Sequence, residues 1–183
     1  MARSSQTQLA VLGALSVEPM TGYALRQAIT ETLGHFWRES FGQIYPALAT
    51  LEAEGAVRRT EPGRTSGSRF ELTEAGSARL RELLAEPFEP APRRDGLLLR
   101  LFFGRQLGVP ACRDLLEGAR DDAEAAVQHY ARLRAEVEAE IATDEAVSVP
   151  DAPFWLLTIA AGQHTAAAQL AWATEALAML DQV

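Results

Sequence analysis

Between residues 40 and 72 a helical pattern runs straight into two short strand patterns, and few folds accept that junction. Ile44, Ala47, Leu48 and Leu51 recur at three- and four-residue spacing, so they share one helix face and are expected to pack inward. At 100° per residue the opposite face holds Gly42, Gln43, Pro46, Ala49, Thr50 and Ala53. It carries no charge, whereas a solvated helix face normally displays Glu, Lys and Arg. Ser40 is placed to cap the helix at its start, and Gly55 to end it. Pro46 lies too deep for the first helical position, so the first turn is expected to be irregular or to begin near Gly42.

The next segments, Val57 to Glu61 and Arg69 to Leu72, read as a hairpin with a long Gly- and Ser-rich tip. Phe70 and Leu72 take one side of its second strand, Arg69 and Glu71 the other. Residues 56–70 carry Arg58, Arg59, Arg64 and Arg69 against Glu61 alone, a local charge of +3. Small uncharged residues let a helix backbone approach base edges, and a glutamine pairs with adenine in bidentate fashion. A cationic loop beside such a helix suits phosphates. Upstream, Leu9, Leu12 and Leu15 mark a first helix ending before Pro19, and Thr21 caps a second bearing Leu25, Ala28, Ile29 and Leu33, stopped by Gly34. Three helices, a hairpin and a further helix form the winged helix-turn-helix order.

Charge divides the chain. Its formal net charge of −8 looks unfavourable for a DNA partner. Residues 1–85, however, hold nine Arg and nine Glu, so the whole deficit falls in residues 86–183. Lysine is absent, and every cation is arginine. The boundary is the proline-rich segment Pro87 to Pro92, which cannot continue a helix. The expected domains are residues 1–86, a linker over 87–96, and a helical unit over 97–183. Before the linker, Thr73 caps a helix with Ala75, Leu80, Leu83 and Leu84 inward. After it come a short apolar helix over Leu97 to Phe103, a long helix from Pro110 to about Thr143, and a last helix from about Pro153 to Leu180.

In the long helix Leu116, Ala119, Ala123, Ala126, Tyr130, Leu133 and Val137 form a heptad seam. Periodicity alone fits two partners equally well: a second chain, or the last helix of the same chain. The last helix carries an apolar excess, including Phe154, Trp155, Leu157, Leu170 and Trp172, that a thin helical core cannot absorb. A symmetric dimer through residues 97–183, with the seam and Trp172 in the interface, is therefore expected.

Together these residues resemble the PadR family of transcriptional regulators, of the type with a long helical C-terminal domain. The resemblance is carried over residues 9–85 by Leu12-Gly13-Ala14-Leu15, Pro19-Met20-Thr21-Gly22-Tyr23-Ala24-Leu25, Phe36-Trp37, Gly42-Gln43-Ile44-Tyr45-Pro46-Ala47-Leu48, Leu51-Glu52-Ala53-Glu54-Gly55 and Leu72-Thr73-Glu74-Ala75-Gly76. A weaker C-terminal match rests on Leu101-Phe102-Phe103 and on residues 172–177. It implies a mainly α, dimeric repressor that binds a pseudo-palindromic double-stranded DNA operator and is released by a small molecule. In the wing, Arg69-Phe70-Glu71-Leu72 departs from the family's usual Lys/Arg-Val/Tyr-Tyr run.

The DNA set expected from pattern and resemblance is Ser40, Gly42, Gln43, Tyr45, Pro46, Ala49 and Thr50 on the helix, with Arg58, Arg64, Ser66 and Arg69 on the wing. A small aromatic or hydrophobic effector would meet Trp155, Trp172, Phe102 and Phe103, joined by Phe36 and Trp37 if the cavity opens toward the winged helix. The alternative is a dimeric DNA-binding regulator without an effector, controlled by abundance or a protein partner.

Other chemistry is not expected. His35, His129 and His164 lie far apart and form no metal-binding pair, so no metal, cofactor or enzymatic activity is predicted. Asp121-Asp122 and Glu136, Glu138 and Glu140 read as solvated faces, and the single Cys112 as an inert helix residue. No apolar run approaches the ~20 residues that span a bilayer, and no signal segment opens the chain, so a cytoplasmic protein is expected.

Overall fold

The computed structural model describes residues 3–34, 36–37, 41–60, 67–88, 94–143 and 150–182. These fall into two compact units, Met1–Ala91 and Pro92–Val183. The first contains α1 (Arg3–Val17), β1 (Met20–Thr21), α2 (Gly22–Ala28), α3 (Phe41–Ala53), β2 (Val57–Arg59), β3 (Arg69–Leu72) and α4 (Glu74–Ala85). The second contains α5 (Gly96–Phe102), α6 (Gly104–Leu107), α7 (Val109–Thr143) and α8 (Ala152–Leu180).

The core of the first unit is built by the predicted helix stripes. Leu12, Leu25, Ile44, Leu48, Leu51, Phe70 and Leu83 are all buried in one cluster. Thr21 caps α2 by accepting from the Ala24 N–H at 3.1 Å. The helix then widens into a π-helical turn over Ile29–Leu33, which the sequence pattern does not distinguish from a continuing α-helix. The three strands are antiparallel in the order β1-β3-β2. Strand β1 went unpredicted. It is two residues long and pairs Met20 with Phe70 and Thr21 with Arg69.

One correction concerns α4. Leu80 and Leu83 turn inward, but Ala75 and Leu84 are exposed. Each lies one ~100° step from a buried neighbour, Gly76 or Leu83, which carries it out of the stripe.

In the second unit α7 and α8 form a long helix pair. Its core is Tyr130, Ile159 and Ala166, with Ala126, Val127, Leu133 and Val137 packed around it. Cys112, Leu116, Ala123, Ala173 and Leu177 are buried as well. Polar contacts among the described residues also join the pair, among them Arg113 to Asp181 at 2.5 Å and Arg134 donating to Gln163 at 3.0 Å. The heptad seam is therefore used within the chain. Tyr130 is buried with Ile159 and Ala166 of α8, and Ala126, Leu133 and Val137 pack against that cluster; Leu116 and Ala123 are buried as well, and Ala119 is half-buried. A seam specifies a stripe but not its partner, and α8 offers an apolar face in the same chain. The short α6 also went unpredicted, because Gly104 and Gly108 obscure its single turn.

Candidate nucleic-acid interface

Helix α3 presents the predicted face to solvent. Gly42, Gln43, Pro46, Ala49, Thr50 and Ala53 are all exposed, while Ile44, Leu48 and Leu51 anchor the opposite side. The helix begins at Phe41, so Pro46 sits inside it. There it removes the N–H that would bond the Gly42 carbonyl. Thr50 donates its hydroxyl to the Pro46 carbonyl at 3.0 Å, leaving a methyl group and oxygen lone pairs at the surface. Tyr45 is half-exposed, and its ring rests on the first turn of α2. A Cβ at Gly22 would lie 2.9 Å from Tyr45 Cε1. Gly22 thus sets how closely α2 and α3 approach. Ser40 lies outside the described residues, as do Arg64 and Ser66.

The C-terminal end of α3 is fixed tightly to the hairpin. Gly55 adopts φ 72°, the left-handed conformation that favours glycine. The Gly55 N–H donates to Glu52 at 3.0 Å and the Ala56 N–H to Leu51 at 2.8 Å, which closes a Schellman motif. Thr73 then joins three elements. Its hydroxyl donates toward the Gly55 carbonyl at 2.7 Å and accepts from the Gly76 N–H at 3.0 Å, while its own N–H bonds Ala56 at 3.1 Å. Helix α3, the β2–β3 hairpin and α4 consequently share one anchored corner.

The wing arginines are less free than the count of +3 implied. In the hairpin register Arg58 faces Glu71 and Arg59 faces Phe70. Arg58 forms an ion pair with Glu71 on the outer face. Arg59 turns inward to Glu52 of α3, and Arg69 donates to the Pro19 carbonyl. Glu52 and Glu71 lie just outside residues 56–70, so the +3 of that segment is partly offset by its flanks. Arg58 keeps most of its side chain exposed, so it remains presentable to a phosphate once released from Glu71.

Within the second unit the expected effector aromatics do not all line one groove. Trp155 and Trp172 are seventeen positions apart on α8, which at 1.5 Å per residue separates them by about 25 Å. Phe102 and Phe103 pack edge-to-face at 5.1 Å and remain exposed. Phe36 and Trp37 belong to the other unit; Phe36 is exposed and Trp37 half-buried. Only Trp172 of the six lines the groove of the second unit, about 650 Å³, together with Leu101, Arg105, Cys112, Leu116 and Met179. Among the described residues no cluster of His, Cys, Asp or Glu is placed to hold a metal ion, and no helix is long and apolar enough to cross a membrane.

Comparison with known proteins matches both units. Residues 11–82 fit the model of the Transcriptional regulator PadR-like family, and residues 93–181 that of the Virulence activator alpha C-term. The chain belongs to the PadR-like family of transcriptional regulators. It is 28% identical over 180 residues to the Negative transcriptional regulator PadR of Bacillus subtilis, covering 94% of this chain and 96% of that one. The crystal structure of Bacillus subtilis PadR in complex with operator DNA superposes with a TM-score of 0.73 at 26% identity, over 94% of this chain and 96% of the other. The same protein in complex with p-coumaric acid gives a TM-score of 0.70 at 25% identity, over 95% and 98% of the two chains. This PadR-like chain is therefore a DNA-binding transcriptional regulator with a winged helix, and its family is one of regulators rather than enzymes.

Proposed function

We propose that the chain acts as a homodimeric repressor that reads a pseudo-palindromic operator and leaves it when a small aromatic or hydrophobic molecule binds. The observation that carries the reading is the α3 surface. Gln43, Tyr45, Pro46, Ala49 and Thr50 form an exposed face without charge, beside a wing that bears Arg58 and Arg69. Gln43 reads bases, Thr50 and Ala49 contact thymine methyls or base edges, and Arg58, with Arg64 and Ser66 at the tip, holds the phosphates.

Dimerisation is assigned to the outer faces of α8 and α5 rather than to the seam. Helix α8 carries exposed apolar side chains beyond those it buries against α7. Phe154, Leu157 and Met179 stand 65%, 68% and 63% exposed in the single chain, and α5 adds Leu99 and Phe102. Covering these surfaces with a second copy removes a large exposed apolar area from water. The effector reading is supported by the p-coumaric acid complex of Bacillus subtilis PadR and by the groove beside Trp172. Arg105 also lines that groove and suits the carboxylate of a phenolic acid.

The test uses wild-type protein and p-coumaric acid as the probe. Sedimentation at micromolar concentration should give a dimer. Footprinting should show two half-sites about one helical turn, or ~34 Å, apart. The acid should quench tryptophan fluorescence more strongly in free than in operator-bound protein and weaken operator binding, as linkage requires. A monomer, or a single protected half-site, would overturn the dimeric reading. Unchanged operator affinity across hydrophobic and phenolic probes would favour control by abundance or a protein partner.

A further inference from the structure

We propose that Arg59 is a positioning residue for DNA recognition, which fixes the angle between the recognition helix and the wing without touching DNA. The inference rests on the reading of α3 as the base-contacting helix. Arg59 Nε lies 2.7 Å from Glu52 Oε1, and a terminal nitrogen of the same guanidinium donates to Glu52 Oε2 at 2.9 Å. Two parallel N–H bonds to two carboxylate oxygens form a fork, which specifies orientation as well as distance. The guanidinium carbon also lies 5.3 Å from the ring centroid of Phe70, whose side chain is buried in the core. One side chain of β2 is thus held by the last turn of α3 and by the adjacent strand β3.

The arrangement argues against a phosphate contact. To reach DNA, Arg59 would have to give up both the carboxylate and the ring, whereas Arg58 on the outer face is 72% exposed. Both side chains of the pair are about one-third exposed, where a single ion-pair contact adds little to folding, and it is the two-point geometry that distinguishes this pair. Geometry is what a bidentate pair supplies at a surface. Its position between base-reading helix and phosphate-binding wing makes that geometry functional: a wing tilted away cannot anchor α3 in register.

The test compares a duplex enriched by wild-type protein from a random-sequence pool with a scrambled duplex of the same composition, by anisotropy across a salt series. Arg59→Lys keeps the charge but loses the fork, and Glu52→Gln loses the carboxylate. Both should lower affinity for the enriched duplex about tenfold, with the scrambled duplex and the salt slope unchanged. The double variant Glu52→Arg with Arg59→Glu should restore part of the preference. A phosphate-binding Arg59 predicts otherwise: Arg59→Lys would match wild type, and Glu52→Gln would tighten both duplexes alike. That result overturns the clamp. Should a single variant fail to melt cooperatively, the double variant decides, since a swap without recovery of preference contradicts it. Wild-type protein that binds both duplexes equally would overturn the base-reading assignment itself, a result distinguishable from failure of the clamp alone.

Discussion

The ring of Tyr130 on α7 lies directly on Gly162 of α8, so closely that a Cβ at position 162 would overlap the ring carbons. Tyr130 is also a seam residue and a member of the buried cluster with Ile159 and Ala166. Knob and hole therefore come from one chain, and this contact sets the spacing of the second unit.

Gly162→Ala should accordingly destabilise the second unit by about 1–3 kcal/mol, the usual cost of forcing extra volume into a packed core. Tyr130→Leu in the same background should recover part of the loss by vacating the space. Urea unfolding at fixed protomer concentration measures both, because association shifts apparent stability. A fully stable Gly162→Ala protein would show that the two helices can separate without cost.

Seam and interface should respond differently to charge. Leu133→Asp or Val137→Asp places a carboxylate between α7 and α8 and should unfold the second unit, seen as lost helical circular dichroism. Phe154→Asp with Leu157→Asp lies on the outer face of α8 and should yield a folded monomer. A dimer that survives the α8 changes with native ellipticity would remove that face from the interface.

Two glycines with open space around them should behave in opposite ways. Apart from adjacent residues and, at Gly118, the backbone of its own helix, nothing lies within 4 Å of a Cβ built at Gly118 or at Gly55. Gly118 is an exposed position inside α7, so Gly118→Ala should stabilise by about 0.5–1 kcal/mol. Gly55 holds φ 72° at the end of the recognition helix, so Gly55→Ala should cost roughly 1 kcal/mol. Thermal melts of the two variants should shift in opposite directions.

What the sequence disclosed follows the range of the forces involved. The inward stripe of α3, the caps Thr21 and Thr73 and the stop at Gly55 depend on neighbours within four residues, and each stands where local pattern puts it. Strand β1 depends on Phe70 and Arg69, about fifty positions later in the chain, and two residues leave no periodicity to read. The seam's spacing was legible, but its partner was not, because a stripe on α7 fits the apolar residues of α8 as well as a second copy. Among the site residues, the α3 face needed only helical geometry. The fates of Arg58, Arg59 and Arg69 needed the hairpin register and the position of Glu52, which a charge count does not contain. For the aromatic residues, helix rise alone separates Trp155 from Trp172 within one chain, a distance that composition does not show.

The central claim, that the uncharged face of α3 reads base edges, is tested most directly at Gln43. Wild-type and Gln43→Ala protein should be titrated with the enriched and the scrambled duplex at physiological salt. The account predicts that Gln43→Ala loses about 1–3 kcal/mol on the enriched duplex only, with relaxed base preference at one position in each half-site. Equal weakening on both duplexes, with a salt slope reduced by about one counterion, would make Gln43 a backbone contact and contradict it.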